Sequence, residues 1–348
     1  MKTIFFSTIL CIVLFLQTQA QDIHFSEYYA NPLSMNPALA GAHNSDARVI
    51  LSYKDQWDKL ENPYKTYAFS GDAGIFRSRT NTGYWGVGFN LFHDLSGVNK
   101  LATTNLNLSA TYHLRLNRQH ILSAGLQGGF SQKKINEGNL QWDNQFDGVA
   151  YNSSLQSGEN ITSDGFTMGE AATGICWSYL SESVKNYNSN EGIKTELGIA
   201  FYHVNTPQYS FYNTSSEELD FRTICHGKAS IEIPKTIMAA IPTVTFMKQG
   251  ASNELIVGAY VRFMMRDNTN KTGFLSKAAI SVGNHYRWGD AYVCSIMFEA
   301  MHFALGLSYD VNTSPLKYAS KRDGGLEITI RYTTPNPFVN ENRGNSLL

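Results

Sequence analysis

Nine histidines are the residues with the widest chemical repertoire in this sequence. Histidine binds metals and transfers protons near neutral pH. None of the nine belongs to an H-E-x-x-H motif or to a close Cys/His cluster, the spacings that are typical of zinc sites. His113, His285 and His302 instead alternate onto one face of predicted strands. We therefore expect these histidines to be polar residues that face a lumen, and we expect neither a metal nor a cofactor.

A nucleophilic centre would need a serine, a histidine and an orienting partner close together. Ser308 and His302 lie six residues apart on one predicted strand, which separates them by about 20 Å at the rise of a strand. The sequence contains no G-x-S-x-G motif and no phosphate-binding loop. Gly86 and Gly88 instead fit the close packing of neighbouring strands or the wall of a lumen. We predict no catalytic residues and no enzymatic activity.

The composition narrows the class of protein. Of the 348 residues, 43% are hydrophobic and 16% charged, and the mean hydropathy is -0.26. The net charge of -1 excludes a strongly basic nucleic-acid binder and an acidic disordered protein. Three widely spaced cysteines remain after the leader, and an odd number without a C-x-x-C pair predicts neither a disulfide framework nor a zinc site.

The first 20 residues have the pattern of a secretory signal peptide. Lys2 precedes an apolar run from Ile4 to Leu16, and Ala20 provides the small residue before cleavage ahead of Gln21. The apolar run is too short to span about 30 Å of hydrocarbon as a helix. No later stretch holds 18 consecutive apolar residues. We therefore expect export of the mature chain.

Period-two alternation dominates the exported chain. From Asn105 to Asn117, Leu and other apolar residues alternate with Asn, Ser, Thr, His and Arg, so one face of a long strand is apolar and the other polar. The pattern recurs fourteen times, and the predicted strands are 46–54, 64–76, 83–93, 101–117, 119–132, 166–180, 195–205, 223–234, 236–248, 254–266, 277–288, 290–299, 301–312 and 324–333.

Strand length and number favour an all-β transmembrane antiparallel β-barrel. Most of the strands have about ten residues or more, as membrane strands require, and bacterial barrels have an even number of strands. In such a barrel the apolar face meets lipid, aromatic residues lie at the rims, and the lumen is polar. The alternative is a soluble β-sandwich, whose strands are usually shorter. Pro242 inside a predicted strand implies a bulge or a register error.

Charges alternate onto the predicted lumen face in nearly equal numbers. We count nine bases (Arg48, Lys54, Arg115, Lys228, Arg262, Arg266, Lys277, Arg287 and Arg331) and eight acids (Asp72, Glu170, Glu196, Glu232, Glu254, Glu299, Asp310 and Glu327). This balance predicts cross-strand ion pairs or a wet lumen rather than a strongly ion-selective pore.

These patterns divide the chain into a signal peptide (1–20), an N-terminal periplasmic or plug segment (21–45), an outer-membrane barrel (46–333) and a C-terminal tail (334–348). With the N-terminus in the periplasm, the links after odd-numbered strands face outside, and the longest of these is 133–165. That link is a candidate binding surface or simply a mobile loop.

The residues after the leader resemble the opening of the PorP/SprF family of type IX secretion membrane proteins of Bacteroidetes. The opening runs from Gln21 to Tyr29 and continues with Asn36-Pro37-Ala38-Leu39-Ala40-Gly41. The resemblance extends in order to Tyr53–Trp57, Tyr202–Pro207, Tyr286–Ala291, Leu307–Asn312 and Gly324–Ile328. The residues that carry it are Phe25, Ser26, Asn36, Pro37, Ala38, Gly41, Trp57, His203, Asn205, Pro207, Arg287, Asp290, Ser308, Tyr309 and Asp310. Lys54 departs from the family's frequent Arg, and the 133–165 insert is long.

The resemblance implies a barrel that supports gliding motility or the secretion and surface anchoring of cargo proteins by protein binding. It further implies periplasmic ring lipoproteins, a peptidoglycan-binding partner and a secreted cargo or adhesin as partners, in addition to outer-membrane lipid. From the residues themselves, the segment around Asn36 and Pro37 either stoppers the periplasmic mouth or docks a partner there. An outer-membrane porin or hydrophobic-solute transporter is the alternative function.

Overall fold

The computed structural model describes residues 25–57, 63–77, 82–97, 101–135, 141–158, 165–182, 190, 192–211, 217–266, 277–315 and 320–334. The predicted signal peptide and most of the predicted C-terminal tail lie outside these residues.

The described residues form fourteen antiparallel strands in one closed barrel. Each strand pairs with its neighbours in the sequence, and β1 pairs with β14 to close the sheet. The strands are β1 Ala47–Gln56, β2 Tyr64–Ile75, β3 Gly83–Ser96, β4 Leu101–Arg115, β5 His120–Lys134, β6 Gly165–Leu180, β7 Ile193–Tyr202, β8 Arg222–Glu232, β9 Met238–Gln249, β10 Ser252–Arg266, β11 Lys277–Arg287, β12 Ala291–Ala300, β13 Phe303–Asn312 and β14 Asp323–Thr334.

The polar face of each strand points into the lumen, as the alternation predicted. In β4, Thr111 and His113 are buried, whereas Leu108 is 65% exposed on the outer wall. Leu126 of the neighbouring strand β5 is likewise 68% exposed. An outer wall of exposed apolar side chains around a polar interior is the arrangement of an outer-membrane barrel.

Aromatic side chains cluster near both ends of the strands. Trp85 contacts Tyr112 edge-on at 5.1 Å between ring centroids, at one end of β3 and β4. Tyr53 and Tyr67 pack at 5.2 Å near the other end of β1 and β2. Rims of this kind anchor a barrel at the two membrane–water interfaces.

No strand end differs by more than three residues from the sequence prediction. Two local predictions were wrong. His302 lies in the two-residue link between β12 and β13, not on a strand. Pro242 causes neither a bulge nor a register error: it stays in register with Ala259, and only the ladder to β8 is interrupted beside it. Proline lacks the N–H that this ladder would use, so the barrel accommodates Pro242 by losing the pairs beside it, without a bulge.

Residues 25–46 precede β1 and lie inside the barrel; we call them the lumenal segment. They contain a four-residue helix, α1 (Pro32–Met35), between the 3-10 turns Tyr28–Ala30 and Pro37–Leu39. A further 3-10 turn, Asp143–Gln145, lies in the link between β5 and β6. In the described part of the chain, none of the helices has the length and apolar character needed to cross a membrane.

Candidate functional site in the barrel lumen

The lumenal segment crosses the barrel from one mouth to the other. We call the end where β1 begins and β14 finishes the terminal mouth, and the other end the opposite mouth. Ser26 contacts Glu327, near the start of β14, and Asp310, near the finish of β13, so it lies towards the opposite mouth. Gly41 contacts Asp72, near the finish of β2, so it lies towards the terminal mouth.

Glu327 holds the start of the lumenal segment. Its carboxylate accepts the backbone N–H of Ser26 at 2.7 Å and that of Glu27 at 2.9 Å. Lys54 lies 3.0 Å from the same carboxylate, and both side chains are almost fully buried. Lys54 and Glu327 are also directly opposite in the register of β1 and β14. The strand pair that closes the barrel therefore also binds the segment.

A second charged group surrounds Ser26. Arg287 donates to Ser26 Oγ at 3.0 Å, to Asp310 Oδ2 at 2.8 Å and to Asp290 Oδ2 at 2.7 Å. The Ser26 hydroxyl in turn donates to Asp310 at 2.6 Å. Ser308 lies 3.5 Å from the Glu327 carboxylate. Charge-assisted hydrogen bonds of this kind are stronger than neutral ones and fix the geometry of both partners.

The side chain of Glu27 enters this group without an ion pair. It is 2% exposed, and neither carboxyl oxygen has a hydrogen-bond partner among the described residues. A Cβ built on Gly306 would lie 2.7 Å from Glu27 Oε2, so the glycine makes room for the carboxyl. Burial first, and then the carboxylates of Glu327 and Asp310, raise the pKa of Glu27 to about 8.

Asn36 fixes the middle of the segment. Its Nδ2 donates to the carbonyl oxygen of Ile175 at 3.1 Å and lies 3.1 Å from His226 Nε2. Its Oδ1 accepts the backbone N–H of Ala38 at 2.8 Å, which caps the 3-10 turn that follows. One amide thus joins strands β6 and β8 to the turn.

Two side chains of β4 bind carbonyl oxygens of the segment. Thr111 donates to the oxygen of Pro37 at 2.7 Å, and His113 Nε2 contacts the oxygen of Ala40 at 2.8 Å. Because a carbonyl only accepts, Nε2 carries a proton, and in the neutral ring Nδ1 then accepts from Ser123 at 2.7 Å. The histidine therefore acts as a polar wall residue, as the sequence indicated.

Asp72 holds the finish of the segment. It accepts the backbone N–H of Gly41 at 2.8 Å and forms a two-pronged pair with Arg48 at 2.9 and 2.8 Å. His43 Nε2 lies 3.3 Å from the same carboxylate. Gly41 has a φ of +74°, a conformation that favours glycine. Here too, a buried carboxylate joins a strand to the backbone of the segment.

Glycines of the wall make room for the segment. A Cβ on Gly86 would lie 1.9 Å from the Ala40 oxygen, and one on Gly125 would lie 2.5 Å from Ala38 N. A Cβ on Gly174 would lie 2.0 Å from Asn36 Oδ1. Real Cβ atoms do not approach so closely, so glycine at these positions allows the backbone of the segment to lie against the sheet.

Cavities remain on both sides of the segment. One of about 240 Å³ lies towards the terminal mouth and is bordered by Tyr29, Met35 and Leu39 of the segment. The other, of about 100 Å³, lies towards the opposite mouth and is bordered by Phe25 and Asn31. Among the described residues there is no group of three or more His, Cys, Asp or Glu side chains placed to hold a metal ion.

The structure brings together most of the residues that carry the family resemblance. Phe25 and Ala38 are buried in the lumen with Ser26, Asn36, Pro37 and Gly41. Arg287, Asp290, Ser308 and Asp310 surround Ser26 and Glu327, as described above. Tyr309 faces outwards on β13, where its hydroxyl donates to Asp323.

The other four lie in links at the opposite mouth, where the buried His203 also borders the smaller cavity. His203 and Asn205 follow β7, and Asn205 Nδ2 donates to the Gly169 oxygen at 2.8 Å. Pro207 accepts the N–H of Leu219 at 2.9 Å in the same link. Trp57 follows β1 and packs edge-on against Tyr64 at 5.1 Å. The contacts of Trp57, Asn205 and Pro207 order the links rather than the lumenal segment.

Several residues of the site were not singled out for it from the sequence. Asp72 was predicted only as a balanced lumen charge. Lys54 and Glu327 were predicted as lumen charges within stretches that resemble the family, and Gly125 and Gly174 were not singled out. Their common signal is position: each falls on the inward face of its strand. The alternation of polar and apolar residues therefore identifies the inward-facing positions. Only the structure shows which of these positions contact the lumenal segment.

Several solved structures are similar to this chain in fold, at low sequence identity. They include the CymD monoaromatic hydrocarbon channel (TM-score 0.46, 11% identity, covering 87% of this chain and 92% of that chain). They also include the outer membrane protein Omp33 of Acinetobacter baumannii (TM-score 0.41, 9% identity, covering 83% and 98%). No curated protein matches the sequence.

Residues 17–332 match the sequence profile of the type IX secretion system membrane proteins PorP/SprF. The match covers the lumenal segment and nearly all of the fourteen strands. The chain therefore belongs to the PorP/SprF family of type IX secretion system membrane proteins.

Proposed function

We propose that this outer-membrane barrel supports the secretion or cell-surface anchoring of type IX cargo proteins by binding proteins, and that it catalyses no reaction. Family membership supports a place in the secretion machinery. The binding role is the step that goes beyond the family.

The lumenal segment is the observation that carries this proposal. It is bound to the wall near the opposite mouth by Glu327, in the middle by Asn36, and near the terminal mouth by Asp72. A solute that crossed the lumen would have to pass this bound segment. The arrangement therefore favours a protein-binding role over that of a porin or a hydrophobic-solute transporter.

The two mouths offer different surfaces. With the terminal mouth in the periplasm, partners there are the ring lipoproteins and a peptidoglycan-binding protein. Cargo meets the links at the opposite mouth. In the link between β5 and β6, Phe146 pairs with Tyr151, and Gln145 donates to the Leu155 oxygen at 3.1 Å. This ordered unit leaves Val149 89% exposed, which suits contact with another protein.

The test is deletion of the gene in the native host, followed by mass spectrometry of secreted and surface-exposed proteins. We expect one or a few cargo proteins to disappear from the surface, and affinity purification of a tagged barrel to recover them with secretion components. Unchanged secretion and display of all cargo would contradict the proposal. Single-channel conductance by the purified protein would instead favour the transporter alternative.

A further inference from the structure

The contact between Asn36 and His226 requires a neutral histidine. Asn36 Nδ2 lies 3.1 Å from His226 Nε2. The amide cannot be turned round, because its Oδ1 accepts the backbone N–H of Ala38 and its Nδ2 donates to the carbonyl oxygen of Ile175. An amide nitrogen accepts no hydrogen bond, so Nδ2 donates and Nε2 accepts. The ring therefore carries its proton on Nδ1.

The wall leaves little space for this contact to rearrange. A Cβ built on Gly198 would lie 2.2 Å from His226 Nε2 and 2.8 Å from Asn36 Nδ2. A Cβ built on Gly174 would lie 2.0 Å from Asn36 Oδ1. Both side chains thus lie against the backbone of β6 and β7, and both residues are buried. A proton gained on Nε2 would therefore be held against the N–H groups of the amide.

Glu196 faces the other nitrogen of the ring. Its Oε1 lies 3.9 Å from His226 Nδ1, which has no hydrogen-bond partner among the residues that the structure describes. Protonation removes the lone pair that Asn36 uses and leaves a positive ring beside this carboxylate. Glu196 also borders the 240 Å³ cavity, which connects the pair with the terminal mouth.

Three further titratable side chains of the described residues lie around His226. Lys228 shares its face two residues along β8, opposite Glu196 in the register. The Lys228 ammonium lies 5.4 Å from the centre of the Tyr29 ring. Cys176 of β6 lies in the same row, one strand beyond β7. Glu196 favours a positive ring and Lys228 opposes it. Among these residue types, histidine is the one whose ordinary pKa lies between pH 5 and 8.

We propose that His226 is a pH-sensitive latch for the middle of the lumenal segment. The neutral ring binds Asn36 and holds residues 36–41 against the wall, whereas the protonated ring pairs with Glu196 and releases them. A proton and Asn36 compete for one lone pair, so docking weakens as the pH falls, by at most tenfold per pH unit. With the ordinary histidine pKa of about 6.5 in the released state, docking at pH 5.5 is about tenfold weaker than at pH 7.5. The latch operates whichever proteins the barrel binds.

Two other histidines near the segment respond differently to acid. His113 Nε2 donates to the Ala40 oxygen at 2.8 Å, and a second proton on Nδ1 would face the Ser123 hydroxyl, which can accept it. The bond to the segment therefore survives protonation. His43 lies 3.3 Å from Asp72, so a positive charge there strengthens the contact with this carboxylate. Neither of these rings uses a lone pair to hold the segment.

The test is hydrogen exchange of the purified full-length barrel in detergent micelles, measured by mass spectrometry at pH 5.5 and pH 7.5 with rates normalised to their intrinsic values. We expect the peptide that contains residues 36–41 to be about tenfold less protected at pH 5.5. The peptide that contains residues 25–31 and the peptides of β12 should not lose protection in acid. His226→Gln keeps an acceptor without titrating, so its protection of residues 36–41 should be equal at the two pH values. His113→Gln, which keeps a donor, is the matched control and should retain the acid loss.

Three results would overturn the proposal: no acid loss in the parent, an equal loss in His226→Gln, or a matching loss in β12, which would attribute the effect to the whole barrel. Electrophoretic mobility without heating shows whether each variant is a folded barrel. If His226→Gln does not fold, Glu196→Gln tests the charged state of the latch. Without this carboxylate the acid loss should be smaller than in the parent, and an undiminished loss would contradict the pairing of Glu196 with the protonated ring.

Discussion

The carboxylate of Glu327 accepts the backbone N–H of Glu27 at 2.9 Å, although 300 positions separate the two residues in the sequence. This bond joins β14, the last strand, to the segment that precedes the first. The chain therefore crosses the lumen once before β1 begins. It follows that full docking of the segment requires the closed barrel, because Lys54 of β1 pairs with the same carboxylate.

Substitution of Glu327 by Ala should release the start of the lumenal segment. The change removes the acceptor of two backbone N–H groups. It also takes the Glu327 carboxylate away from the buried ammonium of Lys54. Removing one partner of a buried ion pair costs about 3 to 5 kcal/mol. Hydrogen exchange measured by mass spectrometry should show a loss of protection in the peptide that contains residues 25–31. Glu217→Ala, at an exposed position in a link, is the control and should leave that protection unchanged. Full protection in Glu327→Ala would show that the carboxylate does not hold the segment.

Docking of the segment should weaken as the pH rises. The pKa of Glu27 is raised to about 8 in the folded protein by burial and by the carboxylates of Glu327 and Asp310, against an ordinary value of 4.5. The folded protein therefore retains this proton between these two values, whereas the released segment loses it, so docking loses stability across that window.

The measurement is hydrogen-exchange protection of the same peptide between about pH 5 and pH 8, with each rate normalised to its intrinsic value. Glu27→Gln keeps the shape and removes the ionisation, so its protection should be independent of pH and higher than that of the parent at the upper limit. If the parent shows the same flat profile as Glu27→Gln, then Glu27 does not titrate in this window.

A side chain at Gly125 should displace the middle of the segment. Its Cβ would lie 2.5 Å from the backbone of Pro37 and Ala38, and backbone moves aside less readily than a flexible side chain. Gly125→Val is expected to cost about 1 to 3 kcal/mol of docking free energy. Gly128 lies on the same strand and faces outwards, and a Cβ there meets nothing within 4 Å. Gly128→Val is therefore the matched control. Equal protection of residues 36–41 in the two variants would contradict the close contact.

The barrel itself could be predicted from the sequence. A strand between lipid and a polar lumen must alternate apolar and polar side chains. The residue types of Leu108 and Thr111 therefore show directly which face of the strand each one lies on. The pairing of Lys54 with Glu327 follows once β1 is known to close against β14, because register then places them opposite each other.

The path of the lumenal segment could not be predicted in the same way. Residues 25–46 have no strand period, and their position depends on contacts with distant parts of the chain. Asn36 fits because His226 and the carbonyl oxygen of Ile175 meet there, and Gly174 leaves space for its side chain. The resemblance to a family identified Ser26, Arg287 and Asp310, but not that the three meet.

The proposed function assumes one orientation of the barrel, with the terminal mouth in the periplasm, and this orientation can be measured directly. Val149 lies in the link between β5 and β6 at the opposite mouth, and Thr236 lies in the link between β8 and β9 at the terminal mouth; both are exposed. A membrane-impermeant maleimide applied to intact cells should label Val149→Cys at once. It should label Thr236→Cys only after the outer membrane is permeabilised. The parent chain gives the background from its native cysteines, of which Cys294 is exposed on β12. Labelling of Thr236→Cys alone in intact cells would show that the barrel has the reverse orientation.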